Sequence, residues 1–167
     1  MSDDFLAYLK MASNPQKLGW TSQRFFPYST PLGRRIAWGL PVWDKALFAK
    51  GCTEAEADVR LRLELECTAA ETDAILKKWT PPTTLGELSS RQREWLLDFA
   101  LTETASRIPE TVINAILADD LRQLARDHRY IRYAGPAPDH PRNRAFVDRW
   151  RLRDITKQEQ LRKEPSP

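Results

Sequence analysis

Glutamate is missing from the N-terminal part of the chain: none precedes Glu54, and the only aspartates before it are Asp3, Asp4 and Asp44. Acid–base chemistry in this stretch would have to draw on those aspartates or on Glu54 itself. Cysteine and histidine are equally scarce, at two residues each in 167. Cys52 and Cys67 lack the spacing of a metal site, and their 15-residue separation within mostly helical sequence predicts free, buried thiols rather than a disulfide. His128 and His140 stand alone and read as structural residues. No apolar run approaches the roughly 18 residues of a membrane span, so no transmembrane segment is expected. The opening MSDDFLAYLK is acidic where a secretory signal is basic. The product is therefore expected in the cytoplasm as synthesised, reaching the periplasm or a virion, if at all, without a cleavable signal.

What is present is ordinary for a globular chain, with 41% hydrophobic and 29% charged residues, and this excludes wholesale disorder. The net charge of +3 is unevenly placed: Arg122 to Glu164 holds twelve Lys/Arg against six Asp/Glu. Such a segment suits acidic envelope polymers, anionic lipid or nucleic acid, and solvated helix faces explain it equally well. Nucleic acid is the least favoured partner, because Arg142, Arg144, Arg149, Arg151 and Arg153 do not share one side of a helix.

Periodicity organises the rest. Phe5, Leu6, Leu9 and Ala12 recur at helical spacing until Asn14-Pro15, where the residue before proline leaves the helical region. From Gly19 to Trp43, glycines and prolines interrupt an aromatic-rich stretch and predict turns and short strands. Thr53-Glu54-Ala55-Glu56 has the form of a capping box, opening a helix whose inward stripe is read as Val59, Leu63, Cys67, Ala70, Ala74 and Ile75 and which ends at Trp79-Thr80-Pro81-Pro82. Ser89 and Gln92 repeat the capping pattern ahead of Trp95, Leu96, Phe99 and Ala100. Pro109 suits the first turn of a further helix, and Asp119 or Asp120 the start of another through Leu121, Leu124 and His128. Residues 133–142 read as a loop and Asn143 to Leu152 as a last amphipathic helix.

In this order the segments resemble the phage-type lysozymes and endolysins, glycoside hydrolase family 24, over residues 5 to 152. Tyr28-Ser29-Thr30-Pro31-Leu32-Gly33 with Ile36-Ala37-Trp38-Gly39 is similar to that family's hairpin. Lys50 to Ala57 is similar to its "G-x-T-x-x-E-A" helix entry. Leu88 to Ala100 resembles its "L-[ST]-x-x-Q-x-x-A-L-x-x-F-x-x-N" helix without the asparagine, and Ile113 to Leu152 its closing stretch, with Asp148 near the position of a glutamate.

The resemblance implies a predominantly helical α+β fold. It places a single lysozyme-like domain at 1–152, comprising a helix and β-rich lobe at about 1–50, an interlobe helix at 53–78, a helical lobe at 88–152, and a charged tail at 153–167. It also implies a site whose chemistry is missing. In this family a glutamate ending the first helix protonates the leaving oxygen, and a hairpin carboxylate assists. The corresponding positions here are Thr21, or Ser13 and Asn14 with a longer loop, and Thr30; the family's hairpin threonine falls near Arg35 or Ile36. A degenerate member without muramidase activity is expected, acting as a peptidoglycan-binding or protein-interaction module.

Two alternatives stand beside it. One is an active peptidoglycan hydrolase recruiting Asp44, or less plausibly the helix-opening Glu54. The other is a virion, secretion-apparatus or nucleic-acid-contacting accessory protein. For glycan binding the candidates are Trp20, Tyr28, Arg34, Arg35 and Trp38: aromatic faces stack on sugars, and guanidinium forks match the carboxylates of peptidoglycan. Phe25, Phe26 and Trp43 belong to the same aromatic cluster, which a small core explains as well. No metal and no cofactor is expected.

Overall fold

The computed structural model describes residues 2–30, 33–42, 44, 46, 48–103, 105–127, 145, 148 and 149. The expected last helix, apart from Ala145, Asp148 and Arg149, lies outside the described residues, as do Trp43, both histidines, the 133–142 loop and the 153–167 tail. The chain is mixed α+β and predominantly helical, with two small antiparallel sheets near the N-terminus and helices after them. It divides into two compact units, Met1–Cys67 and Thr68–Pro167.

The first unit opens with α1 (Asp3–Ser13), capped by the Ser2 hydroxyl, which accepts from the Phe5 amide at 3.2 Å, with Asp3 and Asp4 in the first turn where the helix dipole favours them. Its buried side is the expected one: Phe5, Leu6, Leu9 and Ala12. Two hairpins follow. In the first, β1 (Trp20–Thr21) pairs with β2 (Arg24–Phe25), with Trp20 opposite Phe25. Ser22 and Gln23 between them both have positive φ, at 47° and 61°. Two consecutive left-handed residues make the turn whose twist matches a two-residue hairpin. The second sheet has the order β3 (Tyr28–Thr30), β4 (Gly33–Ile36), β5 (Leu40–Pro41), with Tyr28 opposite Arg35 and Ile36 opposite Leu40.

The long helix α2 (Glu54–Leu76) starts where the capping pattern places it. The Thr53 hydroxyl accepts from the Glu56 amide at 3.2 Å and the Glu56 carboxylate accepts from the Thr53 amide at 2.7 Å. Its inward face is not the expected one. Ala57, Leu61, Leu65, Thr68, Thr72 and Leu76 are buried, whereas Val59, Leu63, Cys67, Ala70 and Ala74 are exposed and Ile75 is half-buried. Both sets satisfy the helical period, so periodicity cannot choose between two opposite apolar stripes on one helix. Contact with the rest of the fold makes that choice. It also corrects the expectation for the thiols: both are free, but only Cys52 is buried.

In the second unit, α3 (Ser90–Glu103) is capped reciprocally: the Ser89 hydroxyl accepts from the Gln92 amide at 3.2 Å, and Gln92 Oε1 accepts from the Ser89 amide at 3.0 Å. Gln92 Nε2 meanwhile donates to the carbonyls of Ile116 and Leu117, satisfying the end of α4 (Glu110–Leu117). Residues Trp95 to Ala100 are all buried, so α3 is covered around its circumference there, and α4 packs against both α3 and α5 (Leu121–Asp127). Of the two aspartates expected to open α5, Asp120 does so, its Oδ1 accepting from the Arg122 and Gln123 amides at 3.0 Å. Asp119 instead takes a positive φ of 53° after α4. Pro109 sits at the N-cap of α4, one place ahead of the helix proper. No described helix is long and apolar enough to cross a membrane.

The facing of α2 predicts a sharp contrast in urea unfolding. Leu61→Ala removes a side chain that is 1% exposed and is expected to cost about 2–5 kcal/mol. Val59→Ala, at 59% exposure, is expected to stay within about 0.5 kcal/mol of the parent.

Candidate functional site

The positions at which the resemblance places a general acid lie at the end of α1 and in the hairpins, all within the first unit. α1 ends at Asn14, whose φ of −148° and ψ of 68° lie outside the helical region that the following proline disfavours. The Asn14 side chain is 3% exposed, and both ends of its carboxamide are in use. Nδ2 donates to the carbonyls of Leu18 at 3.1 Å and Ala37 at 2.7 Å, while Oδ1 accepts from the Leu18 amide at 2.8 Å. The site therefore requires two donors and one acceptor, the inventory of an amide and not of a carboxylate. An ionised acid here would face two carbonyl oxygens.

The Ala37 turn is tied down from a second side by the Tyr28 hydroxyl, which donates to the same carbonyl at 3.3 Å. Gly19 sets the approach of the first hairpin. Its φ is +77°, and a Cβ there would stand 2.2 Å from the Phe26 carbonyl oxygen, close to the point where its own carbonyl receives the Phe26 amide at 2.8 Å. Phe25 and Cys52 exchange two backbone hydrogen bonds at 2.7 and 2.8 Å, which carries this hairpin to the start of α2. Burial, and secondarily the Glu56 carboxylate, pushes the Cys52 thiol above its ordinary value.

The expected glycan-binding residues differ in exposure. Trp38 is 5% exposed, packed edge-on against Phe25 with ring centres 4.8 Å apart, and its Nε1 donates to Asp58 at 2.8 Å. Its faces belong to the core. Arg34 and Arg35 are neighbours on β4 and so point to opposite sides of the sheet. Arg34 is exposed, while Arg35 is half-buried and donates to the Gly39 carbonyl at 3.2 Å. Trp20 and Tyr28 are half-buried; Trp20 lies 4.5 Å from the Phe25 ring centre with the Lys17 ammonium 5.3 Å from its own. Thr21 is exposed on the two-stranded sheet, and Thr30, on the three-stranded one, donates to the Gly33 carbonyl at 2.8 Å.

The carboxylates nearby are likewise engaged in building the fold. Asp44 accepts from the Ala46 amide at 2.8 Å in an exposed turn. Glu54 is 3.9 Å from Lys17. Glu56 is held below the usual carboxylate range by the Thr53 backbone amide and then its hydroxyl, and Arg24 adds to the effect. That is the opposite of what a proton donor needs. Asp58, on α2, was not foreseen: its two oxygens receive Lys10 Nζ at 2.5 Å and Trp38 Nε1 at 2.8 Å, joining α1, the Trp38 turn and α2. Its partners lie 48 and 20 residues away, beyond the reach of any local pattern. Among the described residues no group of three His, Cys, Asp or Glu side chains is placed to hold a metal ion.

Comparison with protein-family models, with curated proteins and with solved structures finds no match.

Two measurements check this construction. Gly19→Ala is expected to destabilise the chain by more than about 1 kcal/mol, because the new Cβ meets both a left-handed φ and a carbonyl oxygen. For the cap, a depressed carboxyl stabilises the fold above its unfolded value, and that contribution is lost as pH falls through the folded value. Glu56→Gln should therefore be less stable than the parent at pH 7, with the gap closing below about pH 4 in urea titrations at several pH values.

Proposed function

We propose that this chain is a lysozyme-like module that binds bacterial peptidoglycan without cleaving it. The observation that carries the reading is Asn14: where a retaining or inverting glycosidase of this resemblance would hold its acid, the end of α1 holds a buried amide with three hydrogen bonds. Removing a general acid lowers rate by about 10² to 10⁴ even with the other groups in place. Here Thr21 and Thr30 carry no carboxylate, and Asp44 is turned to the Ala46 amide of its own turn. Carbohydrate affinity rests instead on the partly exposed rings of Trp20 and Tyr28, with the exposed Arg34 as a counter-charge for peptide or lactyl carboxylates. The partner is then an envelope glycan, and no cofactor is needed.

The test is co-sedimentation with purified insoluble peptidoglycan, with turbidity followed in parallel. Pelleting without clearing is expected, and Trp20→Ala should weaken it roughly 2- to 12-fold. Clearing of the suspension defeats the non-catalytic reading, and one that disappears in Asp44→Ala would establish the hydrolase alternative. Failure to pellet defeats glycan binding.

A further inference from the structure

The face of α2 turned away from the core presents Val59 and Leu63 at 59% and 55% exposure, with the exposed Cys67 one turn further on. Only four large apolar side chains are exposed among the described residues, Met11, Leu18, Val59 and Leu63, and two of them lie on this strip. Val59, Leu63 and Cys67 recur every fourth position, forming a narrow line about 12 Å long. Leaving such a strip in water forgoes burial that a partner surface would recover.

The charges beside the strip say which partner. At about 100° per residue, Arg60 and Glu64 fall on one edge of it and Arg62 and Glu66 on the other. Both arginines precede or sit level with Leu63 and both glutamates follow it, so the sign reverses at the leucine. Arg60 is held at its edge by the Phe48 ring, 4.2 Å from its guanidinium carbon. Arg62 is 3.6 Å from Asp3 in a pair whose side chains are 57% and 96% exposed, an interaction that water competes with easily.

A second copy of α2 complements this pattern in one orientation. Rotated half a turn about an axis through Leu63, it sets Leu63 on Leu63 and Val59 on Cys67. Arg60 then comes within about 3 Å of Glu64 along the helix axis, and Arg62 within the same distance of Glu66, on both sides of the seam. In-register parallel pairing does the reverse: it puts Arg60 beside Arg62 and Glu64 beside Glu66, like against like. We infer that the chain self-associates through α2 as an antiparallel two-fold pair centred on Leu63. The seam is short, so the association is weak and concentration-dependent. It is independent of glycan binding.

Sedimentation velocity of the full chain under reducing conditions, over a wide concentration range, is expected to show a reversible monomer–dimer equilibrium. Leu63→Glu, on an exposed position, should weaken dimerisation at least tenfold while leaving the circular dichroism and urea midpoint of the monomer unchanged. Glu64→Arg with Glu66→Arg should do the same, and adding Arg60→Glu and Arg62→Glu should restore the dimer. The register is read by cross-linking in a Cys67→Ser background with oxidised glutathione. Leu63→Cys should form an interchain disulfide, because helices packed 8–10 Å apart bring those Cα atoms within disulfide reach. Val59→Cys should not, being offset from its own copy by about 12 Å along the helix axis. A monomer at every concentration, a dimer indifferent to Leu63→Glu, or equal cross-linking at 59 and 63 would overturn the inference.

Discussion

The first unit hangs on one buried carboxamide. Asn14 closes α1, holds the Leu18 backbone from both sides and reaches 23 residues along the chain to the Ala37 carbonyl. Because a buried polar group without partners costs far more than a satisfied one contributes, this side chain dictates where the end of the helix and the turn after β4 must sit. Tyr28 adds its hydroxyl to the same carbonyl, and Trp38, next in sequence, is thereby positioned to enter the core against Phe25 and to give its indole N–H to Asp58.

Charge in this unit is spent on architecture. Lys10 and Trp38 converge on Asp58, Arg24 donates to the carbonyls of Lys50 and Gly51, and Glu56 closes the cap with Thr53. Each of these contacts joins segments distant in sequence or completes a helix end. Glu56, held below the usual carboxylate range by the Thr53 amide and hydroxyl, is a poor proton donor, since those neighbours favour its charged form. Of the residues expected to bind glycan, Arg34 is exposed and Trp20, Tyr28 and Arg35 are half-buried. The outer face of α2 is a separate matter, apolar along its centre and bounded by charges that change sign at Leu63.

Much of the local structure was legible. Helix starts were, because a cap is a contact between residues three apart: Thr53 with Glu56 and Ser89 with Gln92 bond as their spacing requires, and Asp120 opens α5. Asn14-Pro15 ended α1 for a reason internal to the dipeptide. Which apolar face of α2 turns inward was not legible, since Val59, Leu63 and Cys67 obey the same period as Ala57, Leu61 and Leu65. Nor was the fate of the aromatic cluster: a tryptophan in a turn-rich segment reads alike whether it lines a surface or, as Trp38 does, fills the core. Arg34 and Arg35 looked like a pair, but a strand separates adjacent side chains.

By itself, the sequence determined where helices begin, where the first one ends, and that no glutamate stands ahead of Glu54, because each of these depends on residue identity or on neighbours a few positions apart. The tertiary structure alone decided that Asn14 is a buried tie, that Asp58 is shared between Lys10 and Trp38, and that Leu63 faces outward. Those outcomes depend on which distant segments come together, through burial and hydrogen bonds that exist only once the chain has folded.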